Sequence, residues 1–329
     1  MFLNIAATAV PTFVLQLIIL PQMARNMTDE RYGLLVTILA LLNIVPATLG
    51  NALNNVRLIY EKEEEKSGDY NALLLILSFI NLIVVAAITY LYEREITFFS
   101  LFLIVIASVL WLVREYYIVA FRIKINYVNI LISNLSMVAG YAIGYYLFRL
   151  FGHWQYIYIL GLLCSLGFIF LKSDLWKEPC CCGKRFGALS TQTTLLALAL
   201  FMARIPTYAD KLLIFPILGG ATVSVYYTAT LFGKVISLAI TPISGVMLSY
   251  LSKLRRKNDN VFRMTFLCAA VVCFVGYFAC VAISRPVLIL LYPQFVNEAM
   301  KYIWITTGTA ILSALISIIN PFVLRFFLI

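Results

Sequence analysis

Long uninterrupted apolar segments are the feature that most constrains this chain. The segment "NALLLILSFINLIVVAAITYLY", residues 71–92, carries no charged side chain. A helix needs about 20 apolar residues to cross a bilayer, whereas a membrane-spanning strand shows about ten residues of alternating character. Hydrophobic residues make up 63% of the 329-residue chain and charged residues 12%. So few charged residues could not cover the surface of a soluble protein of this size. The sequence therefore predicts an all-α integral membrane protein.

Polar breaks divide the chain into about ten transmembrane helices. The predicted spans are 2–23, 33–56, 71–92, 96–121, 125–150, 154–172, 192–218, 221–251, 264–284 and 302–325. The first run has no basic residues before it and is long for a signal peptide, so it is interpreted as a spanning helix.

The distribution of Lys and Arg predicts the orientation of the helices. Breaks after even-numbered spans hold 15 of the 25 basic residues, breaks after odd-numbered spans hold 6, and 4 lie within spans. Basic residues accumulate in cytoplasmic loops. The amino terminus and the longer loops are therefore expected in the cytoplasm. The net charge of +10 follows from this asymmetry and does not suggest nucleic-acid binding.

The chain also contains an internal repeat. An offset of 195 residues places Pro11 on Pro206, Pro21 on Pro216 and Tyr32 on Tyr227. Six spans separate the copies, so both copies run in the same direction, which predicts two parallel lobes as in several transporter folds.

The second copy is incomplete. We predict an N-terminal lobe of six helices (1–172), a cytoplasmic linker (173–191) and a C-terminal lobe (192–329) with four of six expected helices. We expect the sequence to be a fragment of a longer protein rather than a shortened gene product.

Three segments resemble a known family. Residues 25–62 hold a polar turn ending in Tyr-Gly and later an Asn-rich segment closed by Arg; residues 209–253 hold an Asp-Lys pair, a Leu-Gly turn and a late Pro; residues 289–305 precede the last helix. These features resemble the polysaccharide flippases of the MOP (multidrug/oligosaccharidyl-lipid/polysaccharide) superfamily. The resemblance implies a twelve- to fourteen-helix transporter of undecaprenyl-pyrophosphate-linked oligosaccharides in the bacterial cytoplasmic membrane. It further implies membrane lipids, a polysaccharide polymerase and chain-length proteins as partners, and no cofactor.

Charged residues inside the spans are the candidate functional residues. A charge at the bilayer centre costs about 2.5–3.5 kcal/mol on insertion scales. Since adjacent residues on a helix do not face each other, the pairs Arg114/Glu115 and Asp210/Lys211 are not expected to neutralise each other. They are expected to find partners on other helices, in water or in a ligand. Candidate pyrophosphate ligands are Arg204, Lys211, Lys234 and Arg114, and candidate coupling-ion residues are Asp210 and Glu115. Interhelical ion pairs that stabilise the bundle remain the alternative.

Two further groups of residues stand out within the spans, one polar and one made of small side chains. Asn51, Asn54, Asn55 and Arg57 form a patch at the cytoplasmic end of the second span, where Asn51 and Asn55 share one helix face. A substrate access site is one interpretation, and helix capping with headgroup contact is the other. Small residues at intervals of three and four in the fifth span, including Ser133, Gly140 and Gly144, indicate close helix packing.

Other classes of protein fit less well. The single histidine, His153, cannot build a triad or a His-based metal site, and the run Cys180–Cys182 lacks the spacing of a metal site. No outward break is long enough for the outer loop of a membrane polymerase or glycosyltransferase, so an enzyme is not expected. A lipid II flippase or a multidrug exporter of the same superfamily is the nearest alternative.

Overall fold

The computed structural model describes residues 10–60, 68–183, 185–233, 235–236 and 259–326, and these form helices and short connections without a strand. We number the helices α1 (Val10–Ala24), α2 (Asp29–Tyr60), α3 (Asp69–Tyr92), α4 (Phe98–Ile123), α5 (Tyr127–Phe151), α6 (Gln155–Lys172), α7 (Phe186–Ala229), α8 (Asp259–Leu291) and α9 (Val296–Phe326).

Helices α2 to α9 are each long and apolar enough to cross a membrane, and α1 is a shorter apolar helix. This finding confirms the prediction of an all-helical, multi-pass membrane protein. Most of the predicted span 221–251 lies outside the described residues. The predicted break between residues 285 and 301 is wrong in extent: α8 continues to Leu291 and α9 begins at Val296, so Arg285 and Lys301 lie within helices.

The chain forms two compact units, Met1–Val223 and Ser224–Ile329. Within the first unit, α5 and α6 pack closely because glycines remove the side chains between them. A Cβ atom on Gly140 would lie 2.4 Å from the Leu160 carbonyl oxygen, and one on Gly144 would lie 2.5 Å from Ile157 Cα. The small-residue stripe of the fifth span is therefore a packing surface, as predicted. Within the second unit, the Thr306 hydroxyl donates to the Ala229 carbonyl at 2.9 Å.

Helix α7 is interrupted at Gly219, whose φ of 80° and ψ of 170° are accessible essentially to glycine alone. This break falls between the two predicted spans 192–218 and 221–251. Next to it, α7 approaches α2 so closely that a Cβ on Gly33 would lie 1.8 Å from the Gly220 carbonyl oxygen. The repeat offset also maps Gly219 onto Ala24, where α1 ends.

Several irregularities in helix geometry lie at or between prolines. Between Pro11 and Pro21, helix α1 contains a π-helical turn over Leu15–Ile19. Pro46 lies inside α2 and Pro206 inside α7. A proline lacks the N–H that would bond the carbonyl four residues earlier, so each such position loosens its helix locally.

Candidate functional site

A continuous polar network lies inside the first unit, and it joins α2, α3, α4, α5 and α6 to the segment after α6. We call it the interior polar network. Its members are Asn51, Asn54, Asn55, Arg57, Asn71, Arg114, Glu115, Tyr116, Tyr117, Arg122, Asn134, Ser165 and Glu178. Five of the nine predicted site residues belong to it.

Arg114 and Glu115 pair directly with each other. Nη1 of Arg114 lies 2.6 Å from Oε1 of Glu115, and the two side chains are 12% and 17% exposed. Arg114 also donates to Asn134 Oδ1 on α5 and, at 3.4 Å, to the Ser165 hydroxyl on α6. The expectation that these neighbours could not neutralise each other is therefore wrong. The reason is that their long side chains reach around the helix, even though their Cβ atoms point in different directions.

The asparagines of α2 face α4. Asn51 donates to Glu115 Oε2 at 3.1 Å, while Asn54 donates to the backbone carbonyls of Glu115 at 2.7 Å and Tyr116 at 3.3 Å. Asn55 accepts a hydrogen bond from Arg122 Nη1 at 3.0 Å. The predicted shared face of Asn51 and Asn55 is thus confirmed, and the patch holds two helices together.

Arg57 is buried against a carboxylate. Its Nη2 lies 2.7 Å from Glu178 Oε1, with the side chains only 4% and 9% exposed. Its Nη1 donates to the Tyr116 hydroxyl at 2.6 Å, and the guanidinium lies 4.8 Å from the centre of the Tyr70 ring. Asn71 donates to the Glu178 backbone carbonyl at 2.9 Å. Glu178 therefore fixes the segment after α6 to the first unit and neutralises Arg57.

Arg122 was missed by the sequence analysis, which counted it among loop cations. It lies near the end of α4, is partly exposed, and donates through Nη1 to the side-chain oxygens of Asn54 and Asn55. Within the part of the chain that the structure describes, its hydrogen-bond partners are these neutral amides, and no carboxylate forms an ion pair with it. Among the described residues, the cation is therefore held in place by hydrogen bonds to neutral groups.

Arg204 behaves similarly in α7. Its Nη1 donates at 2.7 Å to the backbone carbonyl of Asn43, three residues before Pro46 in α2. The Tyr208 hydroxyl approaches the Asn43 side-chain oxygen to 3.5 Å. The hydrogen bond of Arg204 is thus to a neutral carbonyl, and over the described ranges no carboxylate pairs with this partly exposed cation.

Lys211 differs from Arg204, although both were predicted as substrate ligands. Its ammonium nitrogen lies 2.7 and 2.8 Å from the two carboxylate oxygens of Asp210, and it is buried. Here too the expectation that the two neighbours would not neutralise each other is wrong. Lys234, the third predicted cation of this group, lies outside the described residues.

Metal ligation finds no support in the described ranges. No group of three or more His, Cys, Asp or Glu side chains there could hold a metal ion. The cysteines 180–182 are exposed and free. The Gly183 amide, next to them, donates to Asp69 Oδ1 at the start of α3. His153 packs edge-on against Phe99, with 5.1 Å between ring centres.

One solved structure is similar to the chain over most of its length. It is described as the inward-facing conformation of a multidrug resistance MATE family transporter of the MOP superfamily. The match covers 97% of this chain and 85% of that one, with a TM-score of 0.63 and 12% identity. No family model matches the sequence, and no curated protein matches it either.

The comparison shows that the chain shares the helical, multi-pass fold of that solved transporter structure. The MOP superfamily, to which that structure is assigned, is the one that the sequence resembles, and membership of this chain stays a prediction. At 12% identity the likeness concerns the fold alone. The polysaccharide-flippase subfamily, the bacterial inner membrane, the cytoplasmic amino terminus and the lobe boundaries stay predictions.

Proposed function

We propose that the chain belongs to a transporter that flips an undecaprenyl-pyrophosphate-linked oligosaccharide from the inner to the outer leaflet by alternating access. The observation that carries this proposal is the sign of the charge left available inside the first unit. Glu115, Glu178 and Asp210 are each engaged by a cation, while Arg204 bonds a neutral backbone carbonyl.

A fixed arginine suits a pyrophosphate group. The planar guanidinium can donate two parallel hydrogen bonds to phosphate oxygens, and such charge-assisted bonds are the stronger ones. A partly exposed arginine in an apolar helix can therefore offset part of the hydration that a pyrophosphate loses, while the lipid tail remains in the bilayer. Lys211 would act in this role only after separating from Asp210, so we assign the primary role to Arg204.

A multidrug exporter is the second candidate, because the similar solved structure is described as a multidrug resistance transporter. Export of cationic drugs would call for an available carboxylate. In the first unit, the membrane carboxylates Glu115 and Asp210 are already paired with Arg114 and Lys211. This pairing favours an anionic substrate. A lipid II flippase would use the same cations and differs in the sugar.

The experiment compares Arg204→Gln, Arg204→Lys and Lys301→Gln in the purified transporter. Lys301 is exposed and pairs with the exposed Glu298, so its substitution removes the same charge away from the proposed site. Proteoliposomes carry a fluorescent pyrophosphate-linked oligosaccharide, and a membrane-impermeant quencher measures flipping. We expect R204Q to flip at least roughly tenfold more slowly, since a hydrogen bond to a charged group is worth about 1.5–3 kcal/mol.

R204K should keep part of the activity, and K301Q should match the wild type. A parallel set of liposomes measures transport of ethidium, a cationic drug. Ethidium transport without lipid flipping by the wild type would overturn the proposal in favour of drug export. Normal flipping by R204Q would refute the role of Arg204. Flipping of a lipid-linked muropeptide in preference to the oligosaccharide would assign the lipid II alternative.

A further inference from the structure

The interior polar network carries an excess positive charge that resides on one residue. Its charged members are Arg57, Arg114 and Arg122 on one side and Glu115 and Glu178 on the other. Each of the two carboxylates forms an ion pair with a different arginine, at 2.7 Å for Arg57 and 2.6 Å for Arg114. Arg122 is left over.

The surroundings of Arg122 orient the guanidinium while leaving its charge in place. Nη1 donates to two amide oxygens, those of Asn54 and Asn55. Asn54 is itself completely buried and fixed by two backbone carbonyls of α4. Glu115 attracts Arg122 electrostatically but is bonded to Arg114. Nη2 and Nε of Arg122 have no hydrogen-bond partner among the described residues. These two donor nitrogens of the planar guanidinium therefore remain for a ligand.

We infer that Arg122, positioned by Asn54 and Asn55, forms a phosphate-binding site at the end of α4. A half-buried guanidinium with two free donors matches the oxygens of a phosphate bidentately. The anion class rests on this geometry. The identity of the ligand, the pyrophosphate of the lipid-linked substrate, rests on the proposed function. The site is separate from Arg204, which lies on α7 and bonds α2 at Asn43.

The proposed role of Arg122 can be tested by an isosteric substitution of its neighbour Asn55. Changing Asn55→Asp keeps the size of the side chain and the oxygen that lies 3.0 Å from Nη1, but adds a carboxylate that neutralises Arg122 within the protein. Arg122→Gln removes the cation directly. Lys124→Gln is the matched control, because Lys124 is exposed two residues further along and its loss changes the net charge equally.

The binding assay uses the purified chain in a non-ionic detergent with 150 mM salt, which screens exposed charges over about 8 Å. Isothermal titration calorimetry measures the binding of three separate probes: inorganic pyrophosphate, farnesyl pyrophosphate and farnesol. We expect R122Q and N55D to weaken binding of the phosphate-bearing probes at least roughly tenfold, as loss of a charge-assisted hydrogen bond implies. K124Q should stay within about twofold of the wild type, because exposed charges contribute little.

The probes also separate the two sources of phosphate. Binding of both inorganic and farnesyl pyrophosphate supports a site for the phosphate group alone, and binding of farnesyl pyrophosphate alone supports a lipid-borne phosphate. Equal weakening by R122Q and K124Q, or wild-type affinity in N55D, would overturn the site. Because N55D retains both the cation and the hydrogen bond, it still gives a result if R122Q does not fold.

Flipping assays on the same variants in proteoliposomes distinguish this inference from the proposed function. If the wild type binds pyrophosphate through Arg122 yet does not flip the lipid-linked oligosaccharide, the proposed function fails and the anion site stands. If the wild type flips the lipid and R122Q both binds and flips normally, the anion site fails and the proposed function stands.

Discussion

The buried pair of Arg57 and Glu178 allows a sharp test of how the segment after α6 is held. The substitution Glu178→Ala removes the carboxylate at 2.7 Å from Arg57 and leaves a guanidinium that is only 4% exposed. Breaking a buried ion pair by removing one partner costs about 3–5 kcal/mol, because the remaining charge is left uncompensated. The hydrogen bond from Asn71 goes to the Glu178 backbone carbonyl and survives the change. We therefore expect the free energy of unfolding to fall by about 3 kcal/mol or more.

The assay is equilibrium unfolding in mixed detergent micelles with increasing sodium dodecyl sulfate, followed by tryptophan fluorescence. The matched control is Asp174→Ala in the same segment. Lys177 and Asp174 are also 2.7 Å apart, but their side chains are 60% and 86% exposed. An exposed pair contributes about 0–1 kcal/mol, so D174A should be close to the wild type. The two pairs differ in burial and in reach, since Asp174 and Lys177 are three residues apart whereas Glu178 is 121 residues from Arg57.

A double-mutant cycle isolates the effect of leaving Arg57 without Glu178. Arg57→Met with Glu178→Ala removes both charges, and a buried pair replaced by apolar groups is often tolerated. We expect the double variant to be clearly more stable than E178A. If E178A and D174A destabilise the protein equally, or if the double variant loses the sum of the two single effects, the reasoning from burial is wrong.

Three further outcomes are expected. Gly140→Ala should destabilise the protein by about 1–3 kcal/mol through over-packing against α6, because its Cβ would lie 2.4 Å from a backbone oxygen. Gly167→Ala is the control: its Cβ would have no heavy atom within 4 Å, so it should be neutral in the same unfolding assay. Gly219→Ala should cost about 1–3 kcal/mol because of its φ of 80°, while Gly187→Ala, in a helical and open position, should not destabilise. A membrane-impermeant maleimide should label the exposed cysteines of the loop 172–187 from the cytoplasmic side only, and labelling from outside would refute the predicted orientation.

The architecture could be predicted from the sequence because a bilayer imposes a strong and simple requirement. Segments such as 71–92 must be helical if they are to satisfy their backbone groups in lipid. The break at Gly219 falls between two predicted spans, because the 60 mostly apolar residues 192–251 are too many for one crossing of about 20 residues. The packing role of Gly140 followed from its spacing with other small residues.

The sequence indicated that the charged residues within the spans are important, but it did not predict their partners correctly. The rule that adjacent helical residues point apart describes Cβ directions. Arg114 and Lys211 have three or four methylene groups, so their charged ends reach the carboxylates of Glu115 and Asp210. Such pairing depends on the space left by neighbouring helices, which the sequence does not contain.

Two other residues were assigned to the wrong environment. Arg122 lies near a polar break and was counted as a loop cation, although it turns towards the asparagines of α2. Glu178 lies in a polar, cysteine-rich segment that resembles a solvated loop, yet its side chain is 9% exposed. A partial signal was present for Arg122: a row of amides on one face of α2 needs polar partners on the helix beside it, and Arg122 lies at the end of a neighbouring span.

The choice of partners around each cation separates structural from available charges. Asp and Glu neutralise a cation, and the described part of the first unit uses them for Arg57, Arg114 and Lys211. Asn side chains and backbone carbonyls accept hydrogen bonds but carry no net charge, so they fix the direction of a guanidinium and leave its positive potential for a ligand. Arg122 and Arg204 are held in this second way. A cation that must attract a phosphate and then release it requires such neutral support, because a permanent carboxylate would compete with every arriving anion.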